Sequence, residues 1–229
     1  MKPVILVGRC DGIAHRDRLW AYVRRYWQKN LGWPICEGNY EEKPFCLAAA
    51  SNLASTNAGD WDVALYTAAD AVPGSIEQVL AAVQISLEKS QLVYPHDHYY
   101  SVSDEGTERI LAGEEPHGNM AEWPAWPNTY STMFVVPRTL WDAVGGWDER
   151  FVEYGFEDFA FWSACWARAG GFDRVTGPIF HLHHDRPYAE REGNPSYMSN
   201  KALCQRYMDV RTSWTEILKI LQEPGAPLS

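Results

Sequence analysis

Three histidines fall within four positions in the octapeptide FHLHHDRP, residues 180–187: His181, His183 and His184, followed at once by Asp185 and Arg186. His181 and His184 bracket two residues, and such a pair at the end of a strand converges on one ion if the chain turns there. A distant carboxylate added to it makes a donor set of one oxygen and two nitrogens, with positions left open for a ligand's oxygens. Mn²⁺ suits that mixture and imidazole also suits zinc, so these residue types leave the ion open. A plain histidine patch at a strand end is the competing reading.

Two acidic segments are candidates to complete the chemistry. YTAADAVPG, residues 66–74, places one carboxylate, Asp70, just past an apolar run and just before a proline-started helix. A turn or N-cap aspartate has the same signature. YGFEDFAFWSACW, residues 154–166, sets Glu157 and Asp158 side by side at the mouth of an otherwise apolar helix. Acids there complement the helix dipole. Flanked by Phe156, Phe159, Phe161 and Trp162, however, the two would be partly desolvated, which separates pKa values and yields a general base.

These residues sit in a chain of 229 residues that is 46% hydrophobic, 14% aromatic and 22% charged, a composition able to bury a full core. Eleven Trp and twelve Tyr are many for this length, and some are expected to line a site. The formal charge is −10, and the densest basic group, Arg16, Arg18, Arg24 and Arg25, reads as one helix. Sequence-independent binding to duplex nucleic acid is therefore not expected. The five cysteines form no CxxC pair, which argues against a disulfide framework or a cysteine zinc site and for a reducing compartment. The apolar run after Met1 is too short for a signal segment and no apolar stretch reaches 18 residues, so a cytoplasmic protein without membrane contact is expected.

Elements able to position the site alternate along the chain. PVILVG, residues 3–8, reads as a buried parallel strand that delivers Arg9, Cys10 and Asp11 into a loop at a site edge. Helical spacing of Leu19, Trp20, Tyr22, Val23, Tyr26 and Trp27 predicts a helix over 15–29. Strands are predicted at 33–36, 61–66, 91–94, 133–136 and 179–182, and helices at 44–57, 75–88, 138–143 and 158–169. Residues 96–129 read mainly as a long functional loop carrying Trp123 and Trp126, and 199–221 as one closing amphipathic helix. A βαβαβα first half makes the fold class α/β, with ligands expected beyond the carboxyl ends of the strands, where residues 67–70 lie.

Taken in order, these segments resemble the GT-A glycosyltransferases, specifically the catalytic region of the β-1,4-galactosyltransferases and polypeptide N-acetylgalactosaminyltransferases, over most of residues 4–203. The strongest portion is GGWDERFVEYGFEDFAFWSACWARAG, residues 145–170, similar to the family's Gly-Phe-x-Asn/Glu and Trp-Gly-Gly/Trp-Glu-Asp segment. The resemblance implies a single Rossmann-like GT-A domain, 1–229, with a mixed, mainly parallel central sheet. Residues 1–90 would form the nucleotide-binding half, 91–196 the acceptor and catalytic half, and 197–229 a C-terminal helix and tail.

The family's Asp-x-Asp motif is represented by Ala68-Ala69-Asp70: the first acid is absent, and Asp70 stands where the metal ligand would be. His181-Leu182-His183-His184 lies over the Met-x-x-His segment, so the resemblance implies a metal set of Asp70, His181 and His184 holding Mn²⁺ or Mg²⁺. Asp158 resembles the base of an inverting enzyme, with Glu157 hydrogen-bonding a sugar hydroxyl. Tyr154 stands in the place of a tryptophan sugar platform, Arg9 resembles an arginine near the uracil, with Asp11 beside it, and Asn52 matches an asparagine lining the nucleotide pocket. Arg186 or His183 would add charge at the leaving phosphate. The implied activity moves a hexose (galactose, glucose or N-acetylhexosamine) from a UDP-sugar to a hydroxyl of a glycan, a protein side chain or a hydroxymethylated DNA base. The missing acid keeps a non-catalytic sugar- or nucleotide-binding module in view, and the histidines a zinc hydrolase, although no His-Glu-x-x-His occurs.

Overall fold

The computed structural model describes residues 1–123, 125–153, 155–185 and 193–229. Its first half runs β1 (Pro3–Arg9), α1 (Ala14–Asn30), β2 (Ile35–Asn39), α2 (Leu47–Ala58), β3 (Val63–Thr67), β4 (Ala71–Pro73) and α3 (Ile76–Lys89). There follow β5 (Leu92–Tyr94), β6 (His98–Ser101), α4 (Asp104–Leu111), β7 (Trp126–Pro127), β8 (Met133–Pro137) and α5 (Arg138–Val144). The last elements are α6 (Glu157–Ala169), β9 (Phe172–Arg174), β10 (Pro178–His181), α7 (Pro195–Val210) and α8 (Trp214–Leu221).

The central strands are apolar on both faces because both faces are covered. Val4, Leu6, Ala64, Tyr66, Phe134 and Val136 point into one core with residues of α5, α6, α7 and α8. Their alternating neighbours Ile5, Val7, Val63, Leu65, Met133 and Val135 point into a second, against α1 and α3. The sheet order is β2-β1-β3-β8-β5-β9, with β8 antiparallel to both β3 and β5 and the remaining pairs parallel. A second sheet, β4-β10-β6-β7, lies beyond the end of β3. Its register sets Ala71 opposite His181, and the Leu182 N–H donates to the Asp70 carbonyl at 2.8 Å. Two segments 111 positions apart in sequence thereby meet at the carboxyl end of β3.

Close backbone approach seats α2. Gly8 and Gly38 pair across β1 and β2, and the helix above them presents small residues, Ala48, Ala50, Ser51 and Ala54. A Cβ on Gly38 would lie 1.8 Å from the Ala50 carbonyl oxygen and 2.6 Å from the Ala54 nitrogen. On α3, Ser75 and Gln78 form a reciprocal capping box, which satisfies two end groups of the helix.

Three expectations are corrected. Residues 96–129 are not mainly loop: they include β6, α4 and β7, and α4 is a short helix with a Ser103 cap whose Gly106, Thr107 and Ile110 pack inward. Its eight residues and punctuating glycine hid it from a periodicity reading. The closing helix is two, α7 and α8, broken where Ser213 caps Glu216. The strands β4 and β9, three residues each, are too short to show a period in sequence.

Gly38→Ala is expected to destabilise the fold by about 3 kcal/mol or more, since the atoms it meets are helix backbone that cannot rotate away. Urea unfolding of the variant against wild type measures this.

Candidate active site

The β4–β10 pairing leaves three side chains facing one another. Asp70 is 4% exposed; its Oδ1 lies 3.3 Å from His181 Nε2 and its Oδ2 3.3 Å from His184 Nε2. One ligand atom from each of Asp70, His181 and His184 falls within 4.8 Å of the others. Atoms held about 2.1 Å from a shared ion lie about 3–4.2 Å apart, so a small contraction closes this set on a cation. Asp70 Oδ1 is buried without an aligned hydrogen bond, the kind of orphaned acceptor that a cation satisfies.

The imidazole of His184 is oriented for ligation. Its Nδ1 lies 2.9 Å from the Asp185 carbonyl; with Nδ1–H donating there, the neutral ring turns the Nε2 lone pair to Asp70. Burial lowers the His184 pKa to about 4, which keeps the ring neutral at pH 7. A lone pair and a carboxylate at 3.3 Å repel unless a positive charge lies between or beside them. The segment that carries the ring is pinned from two sides: the His183 N–H donates to Thr107 Oγ1 of α4 at 2.8 Å, and His15 Nε2 donates to the His183 carbonyl at 3.0 Å. Burial by itself would raise the pKa of Asp70, but its electrostatic interactions, with His181 foremost and His184 and Arg16 after it, outweigh burial and hold the carboxyl well below its usual range.

The acid pair opens α6. Phe156 at its N-cap has φ 75° and supplies no side-chain cap, and Asp158 Oδ1 accepts from the Phe159 N–H at 2.8 Å. Burial is the main cause that raises both carboxyls, Glu157 to about 8 with Asp158 adding repulsion, and Asp158 to about 6. The two titrate as a pair, and both keep part of their surface open. The buried Tyr66 hydroxyl lies within electrostatic reach of Glu157, Asp158 and Asp70 together. The acid pair and Asp70 of the cation set therefore share one tyrosine of β3 as an electrostatic neighbour.

The other expected residues are placed as follows. Arg9 is in an acidic cage: its guanidinium contacts Asp11 and Asp17, lies 3.3 Å from Glu37, and stacks over Trp20 at 5.9 Å. Asp11 is thus its ion partner at the end of β1. Asn52 turns to a different neighbour: Oδ1 accepts from the Trp147 N–H at 2.9 Å, and Nδ2 donates to the Trp147 carbonyl and to Glu149. Trp147 in turn stacks on Phe161 at 5.0 Å, so Asn52 ties α2 to the helix that carries Asp158. Tyr154 and Arg186 lie outside the described residues. Arg16 went unremarked in the sequence as a site residue; its Nη1 donates to Asp70 Oδ2 at 2.8 Å. Its place in the first turn of α1, right after the loop at the end of β1, was the available signal.

An aromatic row leads outward from the cation set. His181 is 5.1 Å from His184 and 5.7 Å from Tyr99, ring to ring, and Tyr99 is 6.5 Å from Trp126. Trp126 is 60% exposed on β7, and pairs with Tyr99 across the strands.

No known family model matches the sequence, and no curated protein is detectably similar to it. Solved structures do share its architecture. Drosophila β1,4-galactosyltransferase 7 with xylobiose aligns at TM-score 0.54 and 17% identity, over 87% of this chain and 79% of that one. The fold is GT-A. A mutant of the same Drosophila enzyme with manganese, UDP-Gal and xylobiose aligns at 0.53 and 16% identity, over 82% and 75% of the two chains. GalNAc-T7 with UDP, GalNAc and Mn²⁺ aligns at 0.53 and 12% identity, over 91% of this chain and 42% of that longer one. The mixed six-stranded sheet accords with the GT-A expectation, and no helix among the described residues is long and apolar enough to cross a membrane.

The raised pair has a consequence for stability. A carboxyl whose folded pKa lies above its unfolded value favours folding below about pH 4, and that contribution is lost as pH rises through the folded pKa. Asp158→Asn is therefore expected to gain stability over wild type as pH goes from 5 to 8, by about 2–4 °C in Tm at the upper end. Thermal unfolding at both pH values tests this; a gain equal at pH 5 and pH 8 refutes it.

Proposed function

We propose that the protein is a divalent-metal-dependent glycosyltransferase that moves a hexose from a UDP-sugar to a hydroxyl acceptor with inversion at the anomeric carbon. The observation that carries this reading is the close grouping of Asp70, His181 and His184, together with a pair of carboxyls of raised pKa that shares Tyr66 with Asp70 as an electrostatic neighbour. The GT-A fold supports it, as do the manganese, UDP-Gal and xylobiose bound to the Drosophila galactosyltransferase. In this reading Asp70, His181 and His184 would hold Mn²⁺, or Mg²⁺, which when bound would supply Lewis-acid stabilisation of the diphosphate.

Asp158 is the base. It takes the proton of the acceptor hydroxyl while that oxygen forms a bond to the anomeric carbon, and the bond from that carbon to the diphosphate breaks with its electron pair leaving on UDP. A carboxyl with a pKa nearer neutrality is a stronger base than an ordinary aspartate and is still ionised at pH 7. Glu157, the higher of the two, hydrogen-bonds a sugar hydroxyl in its protonated form. Arg9 and Asp11, paired at the end of β1, bound the nucleotide side. The exposed Trp126 ring, in line with Tyr99 and His181, favours a saccharide acceptor, whose apolar face stacks on aromatic rings.

Turnover of a UDP-sugar panel with Mn²⁺, Mg²⁺ and EDTA tests the reading. Activity is expected to rise with pH through about 6 as Asp158 ionises, Asp158→Asn to lose about 10²–10⁴-fold in kcat, and His184→Ala to lose Mn²⁺ dependence. Unchanged activity in both variants overturns the mechanism. Trp126→Ala is expected to raise the KM for a saccharide acceptor about 2- to 10-fold and to leave hydrolysis of the UDP-sugar unaltered. The alanine at position 68 favours one alternative, a nucleotide-binding module without turnover, which UDP binding with no transfer across a broad donor and acceptor screen would support.

A further inference from the structure

Arg16 links the buried Asp70 of the cation set to the protein surface. Its Nη1 sits 2.8 Å from Asp70 Oδ2, yet its side chain is 38% exposed where that of Asp70 is 5% exposed. A guanidinium has five N–H donors in a planar fork. Among the described residues, Asp70 is the one hydrogen-bond acceptor that Arg16 reaches. The neighbouring arginines differ in this respect. Arg9 is enclosed by Asp11, Asp17 and Glu37, and Arg18 is paired through both terminal nitrogens with Glu108. Arg16 alone of the three is bound to a candidate metal ligand and has donors left over.

Charge makes the same point. Asp70 and Arg16 form an ion pair whose charges cancel, an imidazole that ligates a cation does so as the neutral ring, and no carboxylate stands at Ala68 to add to Asp70. A divalent cation on Asp70 Oδ1 would bring the set to a net charge of +2, which matches the two negative charges of a nucleoside diphosphate ester. We infer that Arg16 is a phosphate-binding residue of the donor site: one edge of its guanidinium stays on Asp70 Oδ2 while its remaining N–H groups bond the diphosphate. As the bond to the anomeric carbon breaks, its electron pair goes to the departing phosphate oxygen, and the same N–H groups stabilise the added negative charge. The inference rests on the donor reading above and adds a residue to it.

Titration calorimetry of the full chain separates this role from a purely structural one, using UDP and uridine in the presence of Mn²⁺, and Mn²⁺ alone, on wild type, Arg16→Lys and Arg16→Gln. Arg16→Gln is expected to weaken UDP binding about 10- to 100-fold. Uridine affinity should stay within about twofold of wild type, Mn²⁺ affinity should be retained or rise as a positive charge leaves Asp70, and Arg16→Lys should recover part of the loss, since a point charge replaces the fork. If Arg16 only braces Asp70, Mn²⁺ affinity falls in Arg16→Gln, and the inference is overturned. Equal UDP affinity in wild type and Arg16→Gln overturns it and leaves the donor reading standing. No binding of UDP by wild type with Mn²⁺ overturns the donor reading and the inference together. Should Arg16→Gln fail to fold, Arg16→Lys decides: weaker UDP binding with Mn²⁺ and uridine affinities retained supports the role, and unaltered UDP binding refutes it.

Discussion

A carboxylate that is 4% exposed must be compensated, and the arrangement around Asp70 follows from that requirement. An isolated ionised carboxylate in a protein interior is costly enough to take up a proton instead. Here two imidazoles and one guanidinium gather around it. They come from two distant segments: β10 and the residues just after it bring His181 and His184, and α1 brings Arg16. The small second sheet holds this convergence together. Without the register that sets Ala71 opposite His181, a histidine pair after a strand would be a surface feature.

The acid pair presents the opposite electrostatic case. Glu157 and Asp158 have dipole and N–H stabilisation at the start of α6, which lowers a carboxyl pKa, yet burial among Phe, Tyr and Trp side chains wins and the pair is raised. That environment is built from far away. Asn52 fixes Trp147, which stacks on Phe161 one helical turn past the pair. Asp148, beneath it, accepts from Tyr207 of α7 at 2.8 Å and from Arg150, which also reaches Glu223 beyond α8. The C-terminal helices thus brace the segment that enters α6. A strained cap, a raised pair and a buried polar network adjoin one another, a pattern in which local destabilisation is carried by surrounding structure.

Legibility in the sequence followed the range of the interactions. β1, β3 and β8 are buried on both faces, and their continuous apolar runs mark them as strands within a residue or two of their observed ends. Helices with a proline or capping start, such as α3, are equally plain. What stayed hidden is set by pairing: β4 and β9 are strands only because neighbours accept them, and α4 owes its inward face to contacts from 102 and 120. The histidine spacing and the acidic pair were visible as residue types, and their convergence with Asp70 was implied only by a family resemblance. Arg16 and the Asn52 latch depend on geometry across 54 and 95 positions, and no local pattern encodes that.

The alanine at position 68 gains meaning from the same charge balance. Ala68 is partly buried and packs with the apolar core beside α1 and α3, so a carboxylate there would add a second negative charge next to Asp70 in a poorly solvated place. Removing that acid while placing an arginine on the remaining one shifts the local charge by two units toward positive. A site so altered binds a bare cation less strongly, because repulsion from Arg16 replaces attraction from an acid, and it binds an anion more strongly for the same reason. In the donor reading proposed above, cation and diphosphate would then favour each other's binding, since each offsets the charge that opposes the other. In that arrangement the metal affinity that counts is the one measured with the nucleotide present.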